Sequence, residues 1–261
     1  MVKAKKSLGQ NWLKSESAIK EIIKAADLKE GEEVLEIGPG RGVLTKALIA
    51  AGVKVLAIEK DDELIDDLLE KFAGEINDKK LFVAHGDILT INASKLFIKD
   101  NYKLVANIPY YITGQVIRKF LSEEERQPSQ MVLMVQKEVA KRITGKKESL
   151  LSISVKVYGE PKYIKTVPAG AFDPKPNVDS AILLIANISR KFFAGNPLVA
   201  GDNLSEKKFF GMLKKGFSQK RKLLRGNLEI GEEILQVCNI PVKARAENLT
   251  IENWKCLIEK I

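Results

Sequence analysis

Histidine is almost absent from this sequence: His85 is the single one among 261 residues. Histidine-built metal sites and a Ser-His catalytic triad are therefore poor readings of the chain. His85 itself reads as a packed residue at the end of a strand rather than a catalyst. Cysteine is nearly as scarce. Cys238 and Cys256 match no zinc spacing and suit thiols kept reduced in a cytoplasm. No apolar run approaches the roughly 20 residues that a bilayer span needs. The opening MVKAKKSLGQNWL has lysines but no apolar signal core, which points away from secretion. A cytoplasmic protein with neither membrane span nor metal is expected.

Charge of one sign is missing locally. Between Lys207 and Leu228 stand eight bases and no acid, and between Met1 and Lys14 four lysines and no acid. Between Asp61 and Asp78 the balance reverses, with eight acids and one base. Basic clusters at both ends of a chain with net charge +9 suggest an oriented polyanion, and nucleic acid fits best. The hydrophobic fraction of 45% is that of a folded protein.

From Glu33 onward short strands alternate with helices. EVLEI precedes a helix from about Leu44 to Ala51. KVLAIE precedes another from about Asp61 to Glu75, with Leu64, Ile65, Leu68, Leu69 and Phe72 on one face. KLFVAH, KLVAN and QMVLMVQ continue the strand series, EVAKRI and LLSISVKVY read as helical, and KYIKTV and SAILLIANI are late strands. This predicts an α/β fold: a doubly wound, mainly parallel Rossmann-like sheet. The segment SRKFFAGNPLVAGDNLS reads as a linker, and helical periodicity runs from Ser205 to the end. The expected organisation is a domain over residues 1–188, then a linker and small all-helical domain over residues 189–261.

The loop VLEIGPGRGVL sets Gly38, Gly40 and Gly42 between the first strand and its helix. Glycines let backbone approach a ligand closely. Glu59, at the end of the second strand, can accept both hydroxyls of a ribose. A dinucleotide fingerprint would need Gly or Ala at position 43, where Val43 stands, which disfavours a nicotinamide enzyme. G-x-G-x-G after the acid Glu36 is instead similar to the pattern of S-adenosylmethionine-dependent methyltransferases. Asp87, in HGDIL, is placed to accept from an adenine amine, or else to serve as a cap or turn residue.

Asn107-Ile108-Pro109-Tyr110 closes the fourth strand. An exocyclic amine is a poor nucleophile until its lone pair is localised. Asn107 offers one acceptor and the Ile108 carbonyl a second; Pro109 fixes the backbone; Tyr110 gives an extruded base a stacking face. Phe172, in the proline-stiffened GAFDPKPNVDS, is either an opposite wall for that base or a core plug. In FSQKRKLLRGNL and the residues just before it, Lys214, Lys215, Lys220, Arg221, Lys222 and Arg225 can reach phosphates, while Phe210, Leu213 and Phe217 are spaced to pack inward.

These motifs, in this order from KKSLGQNWL through EIGPGRGVLT, IEKD, GDIL, NIPYYIT, QKEVAKRI and FDPKPNVDSAIL to FSQKRKLLRGNL and RAENLTIENW, resemble KsgA-type ribosomal RNA small-subunit adenine dimethyltransferases almost end to end. The resemblance implies S-adenosylmethionine held by Asn11, Leu13, Gly38, Glu59, Asp87 and Asn107, with Gln10, Asn11 and Leu13 folding over it. It also implies two methylations on each of two neighbouring adenines near the 3′ end of small-subunit ribosomal RNA, by a protein acting during subunit maturation. Trp12 stands where the family usually has Phe, and Gly226 where Asn is common. Tyr111 stands where Asn often follows the tetrapeptide; RNA contact and simple packing are both open for it. Alternatives are an erythromycin-resistance-type large-subunit methyltransferase, a DNA adenine methyltransferase, and a non-catalytic ribosome-assembly factor. Nothing in the sequence resembles an oligomer interface, so a monomer is expected.

Overall fold

Alternating apolar and helical segments build the elements in the order the sequence lays down. In the computed structural model, which describes residues 2–92, 96, 100–194 and 204–261, these begin with β1 (Trp12–Leu13), α1 (Glu16–Ala26), β2 (Glu33–Ile37) and α2 (Val43–Ala50). There follow β3 (Lys54–Glu59), α3 (Asp62–Lys71), α4 (Ala73–Asn77), β4 (Leu81–His85), β5 (Lys103–Asn107) and α5 (Thr113–Arg118). Next come β6 (Gln130–Gln136), α6 (Lys137–Thr144), α7 (Leu150–Lys156), β7 (Glu160–Val167), β8 (Phe172–Asp173) and β9 (Ser180–Ala186). The last are α8 (Lys191–Ala194), α9 (Leu204–Gly216), α10 (Leu224–Leu228), α11 (Glu232–Val237) and α12 (Ile251–Lys260). None of the described helices is long and apolar enough to cross a membrane.

The chain divides into two compact units. The first, Met1–Ala140 with Glu160–Ile188, holds a seven-stranded sheet in the order β4-β3-β2-β5-β6-β9-β7. Strands β4 through β6 run parallel, and β9 and β7 join antiparallel, which makes the sheet mixed and Rossmann-like. The chain lays β2, β3 and β4 outward on one side, then returns to put β5 on the other. That reversal opens a crevice beyond the carboxyl ends of β2 and β5. Buried strands read as continuous apolar runs: Val34, Leu35, Leu104, Val105, Met131 and Leu133 are fully buried. α1 starts where Ser15 accepts from the Ala18 amide and stops at Asp27, in the left-handed region. Its face of Ala18, Ile19, Ile22 and Ala26 packs into the core, each isoleucine stabilising by about 1.5–3 kcal/mol.

The second unit, Lys141–Gly159 with Ser189–Ile261, is helical. Its core includes Leu213, Leu224, Leu235, Leu257 and Trp254, all fully buried. Tyr158, Phe192, Phe193, Phe209 and Phe210 form an aromatic cluster with centroids about 5.0–6.1 Å apart.

Several expectations are corrected. Residues 141–159 belong with the helical unit, not with the sheet, because Tyr158 joins its aromatic cluster. Part of the expected linker is helix α8, whose Phe192 and Phe193 enter the same cluster; residues 195–203 lie outside the described residues. The helix expected over 61–75 breaks at Phe72 into α3 and α4, and Leu69 is exposed rather than on the buried face. Phe209, not Phe210, is the fully buried ring of α9, and Phe217 is half-buried on Trp254. Cys238 and Cys256 are not free thiols: α11 and α12 bring their Cα atoms to 5.7 Å and a disulfide joins them. His85 is exposed beside Asp62 (3.4 Å), not packed.

Candidate active site

The crevice is a cavity of about 440 Å³ in the first unit. It is lined by all ten residues predicted to hold the cofactor or the reacting base, from Asn11 and Leu13 through Gly38, Glu59, Asp87 and Asn107–Tyr110 to Phe172. The carboxyl ends of four parallel strands supply most of them.

After β2 the backbone turns through Gly38, Gly40 and Gly42, all at positive φ. A Cβ on Gly40 would stand 2.8 Å from the Trp12 ring, and one on Gly42 2.4 Å from Phe72. Only glycine fits both conformation and space there. At the end of β3, Glu59 is buried, and its carboxylate accepts from the amides of Gly40 (3.1 Å), Lys60 (2.8 Å) and Asp61 (2.9 Å). A carboxylate has about four acceptor positions, so capacity remains for a ligand hydroxyl. Burial raises the Glu59 pKa despite those three amides. Glu36, on β2 under the glycine loop, is buried with neither oxygen paired among the described residues. Burial pushes its carboxyl up to about 8; nearby Thr45 opposes this and the Glu59 charge adds to it.

After β4, Asp87 accepts from the Leu89 amide (2.9 Å) and from Lys60 Nζ (2.9 Å). Burial would raise its pKa, but those bonds outweigh it and hold the carboxyl below the usual range. The turn-residue reading of Asp87 is thus part of the structure, and its side chain still lines the cavity.

At the end of β5, Asn107 Nδ2 donates to the Asn11 carbonyl (3.0 Å), which leaves Oδ1 as the acceptor. The Ile112 amide donates to the Pro109 carbonyl (3.2 Å), closing the turn without drawing on the Ile108 carbonyl. Tyr110 is half-buried, and its hydroxyl is 2.7 Å from Ser180 Oγ, itself fully buried on β9. Phe172 departs from the expected open wall: it is only 2% exposed, pairs in register with Leu13 and belongs to the hydrophobic core. It bounds the cavity as a core residue.

Sequence reasoning gave no role to Asp61. Its buried carboxylate binds Lys5 Nζ (2.6 Å) and Gln10 Nε2 (2.7 Å) and caps α3. Burial acts to raise it, yet Lys5 and Gln10 outweigh burial and hold its pKa low. Arg41 also ties this region, its guanidinium 3.8 Å over the Trp12 ring and bonded to the Val2 carbonyl (3.0 Å). The N-terminal segment is thereby fastened beside Glu59 at the cavity. An acid two residues past a strand-terminal Glu, at a helix N-cap, was the available signal.

The six basic residues lie in the helical unit, and all six side chains are exposed. Lys215 pairs with Glu229 (2.7 Å) and Arg225 with Glu232. Lys214, Lys220, Arg221 and Lys222 make no ion pair among the described residues. The buried Asn227 amide donates to the carbonyls of Gly216 (2.6 Å) and Gln219 (3.1 Å), which pins the turn that carries the last three.

Comparisons with known proteins agree with this geometry. The model of the family described as ribosomal RNA adenine dimethylase matches residues 1–261. The ribosomal RNA small subunit methyltransferase A of Dehalococcoides mccartyi (strain CBDB1) is 43% identical over 98% of this chain and 88% of that protein. Among solved structures, a dimethyladenosine transferase from Plasmodium falciparum superposes with a TM-score of 0.79 at 26% identity, covering 95% of this chain and 96% of its own. The 23S rRNA methyltransferase ErmE gives 0.74 at 26% identity, covering 96% and 99%. The fold alone therefore does not separate small-subunit from large-subunit enzymes; the higher sequence identity lies with a small-subunit methyltransferase. The chain belongs to the ribosomal RNA adenine dimethylase family.

Proposed function

We propose that this protein transfers methyl groups from S-adenosylmethionine to N6 of adenine in small-subunit ribosomal RNA. The products are N6,N6-dimethyladenosines at two neighbouring positions near the 3′ end, formed in the cytoplasm by a monomer during subunit maturation. The observation that carries this reading is the meeting of Gly38, Glu59 and Asp87 with Asn107–Tyr110 around one cavity.

The residues fit the cofactor. Gly38 leaves open space where a side chain would stand, and Glu59 keeps acceptor capacity. Glu59 would hold the ribose hydroxyls, Asp87 the adenine amine, and Asn11 and Leu13 the covering wall. When bound, S-adenosylmethionine supplies a methyl group on a positively charged sulfur.

The chain's own part is to position the amine. Asn107 Oδ1 and the Ile108 carbonyl accept its two N–H groups, so that the lone pair is turned to one side. Asn11 fixes which end of the Asn107 amide faces the substrate, since its carbonyl already occupies Nδ2. Ser180 fixes the Tyr110 ring, the platform for the extruded base. Phe172 backs the opposite wall; to take a base between the two rings, the Trp12–Leu13 and Phe172–Asp173 pair must shift. No strong general base is required, because an ammonium product loses its proton readily. Lys214, Lys215, Lys220, Arg221, Lys222 and Arg225 would meet RNA phosphates, and the helical unit thereby supplies affinity rather than chemistry.

The test is methylation of small subunits, large-subunit RNA and duplex DNA side by side. Incorporation into the small subunit is expected; preference for either of the others would replace this reading. Calorimetry showing no S-adenosylmethionine binding would favour the assembly-factor alternative.

A further inference from the structure

We propose that Tyr111 is a second stacking surface, holding the nucleobase adjacent to the adenine under methylation. The proposal rests on the adenine-methylating reading above.

Tyr110 and Tyr111 are successive residues of one short turn, yet their environments differ. Tyr110 is half-buried and bonded to Ser180. Tyr111 is 59% exposed while still lining the cavity, and its hydroxyl makes no hydrogen bond among the described residues. Its ring is nevertheless braced. A Cβ on Gly9 would lie 3.1 Å from Tyr111 Cε1 and 3.2 Å from Cδ1, so the glycine backbone rests against the ring edge. Gly9 has φ +62, which reinforces the need for glycine there. A singly exposed aromatic side chain is ordinary on a protein surface. One held at an edge, with its body in solvent at the rim of a reaction cavity, is instead a preformed platform.

The substrate supplies a reason for such a platform. Drawing one adenine out of a strand removes the stacking partner of its neighbour. Aromatic faces replace that partner without regard to base identity. Tyr111 follows Tyr110 directly and lines the same cavity, which puts a second ring within reach of a base next to the one on Tyr110.

The experiment uses the full chain, its Tyr111→Ala and Tyr111→Phe variants, and a hairpin RNA carrying 2-aminopurine beside the target adenine. The native chain should quench the probe and methylate the adenine. Tyr111→Phe should match it. Tyr111→Ala should lose the quenching and raise KM for RNA about tenfold, with cofactor Kd within about twofold of native. Unchanged quenching and KM in Tyr111→Ala would overturn the proposal. So would a Phe variant as impaired as Ala, or a loss confined to cofactor affinity, which would make the ring only a brace for Gly9. Absence of any adenine methylation by the native chain would overturn the underlying reading as well; normal methylation with an indifferent Tyr111 would overturn this proposal alone.

Discussion

The acids at the cavity and the cations of the helical unit are held in opposite ways. Glu59, Asp61 and Asp87 are each fixed by backbone amides or by a neighbouring side chain, and burial presses on all three. Lys214, Lys220, Arg221 and Lys222 stand in solvent on long stems, with only the backbone beneath the last three pinned by Asn227. A transition state rewards groups that are already in place. A polyanion is attracted from a distance and tolerates mobile charges. The two regions should therefore fail differently when damaged.

The largest effect is expected in the fixed region. Asn107→Ala removes the oriented acceptor, and turnover should fall about 100-fold, in the range for losing one preorganised hydrogen-bonding group. Mass spectrometry of the RNA should show the two successive methyl transfers affected unequally, because the monomethylated amine has one N–H left; equal slowing would contradict the assigned geometry. Next, Glu59→Ala should weaken S-adenosylmethionine binding by about tenfold or more while RNA affinity stays put, as read by calorimetry. Unchanged cofactor affinity would remove Glu59 from the ribose site.

The solvent-exposed cations should give a smaller and salt-dependent loss. Combining Lys220→Ala, Arg221→Ala and Lys222→Ala should flatten the plot of log affinity against log salt by about 2 to 3, with cofactor Kd unmoved. A slope equal to the native one would take this turn out of RNA binding.

The effect expected to touch methyl transfer least concerns pH and acts on stability. Burial holds Glu36 protonated in the folded protein, with a pKa of about 8 against an ordinary 4.5. A folded value above the unfolded one gives stability that is complete below pH 4.5 and lost as pH rises toward 8. Thermal melts of the native chain should decline over that window by on the order of ten degrees, and Glu36→Gln should flatten the decline. An identical decline in the variant would place the titrating group elsewhere.

The contrast also explains what could be read from the residues. Glycine turns, strand-terminal acids and Asn107–Tyr110 were legible because spacing along a parallel strand fixes which end a residue reaches. The mainly parallel sheet followed from the same alternation, whereas the order of its strands did not. The fastening of the N-terminal segment was not legible as contacts, since Lys5 and Asp61 lie 56 residues apart and meet only through tertiary packing. Phe172 offered no way to choose between open wall and core, because the answer depends on Leu13 pairing with it. The helical unit was blurred at its edges: Tyr158 and Phe192 join one cluster from segments that β7, β8 and β9 separate in sequence. The disulfide was hidden for the same reason, two thin signals 18 residues apart with no geometry to link them.

The most direct measurement is positional mapping of methyl groups on small-subunit RNA after incubation with the protein and S-adenosylmethionine. Two adjacent N6,N6-dimethyladenosines near the 3′ end are predicted. Methyl groups on another atom or another base, or none despite bound cofactor, would contradict a cavity built to aim adenine's amine.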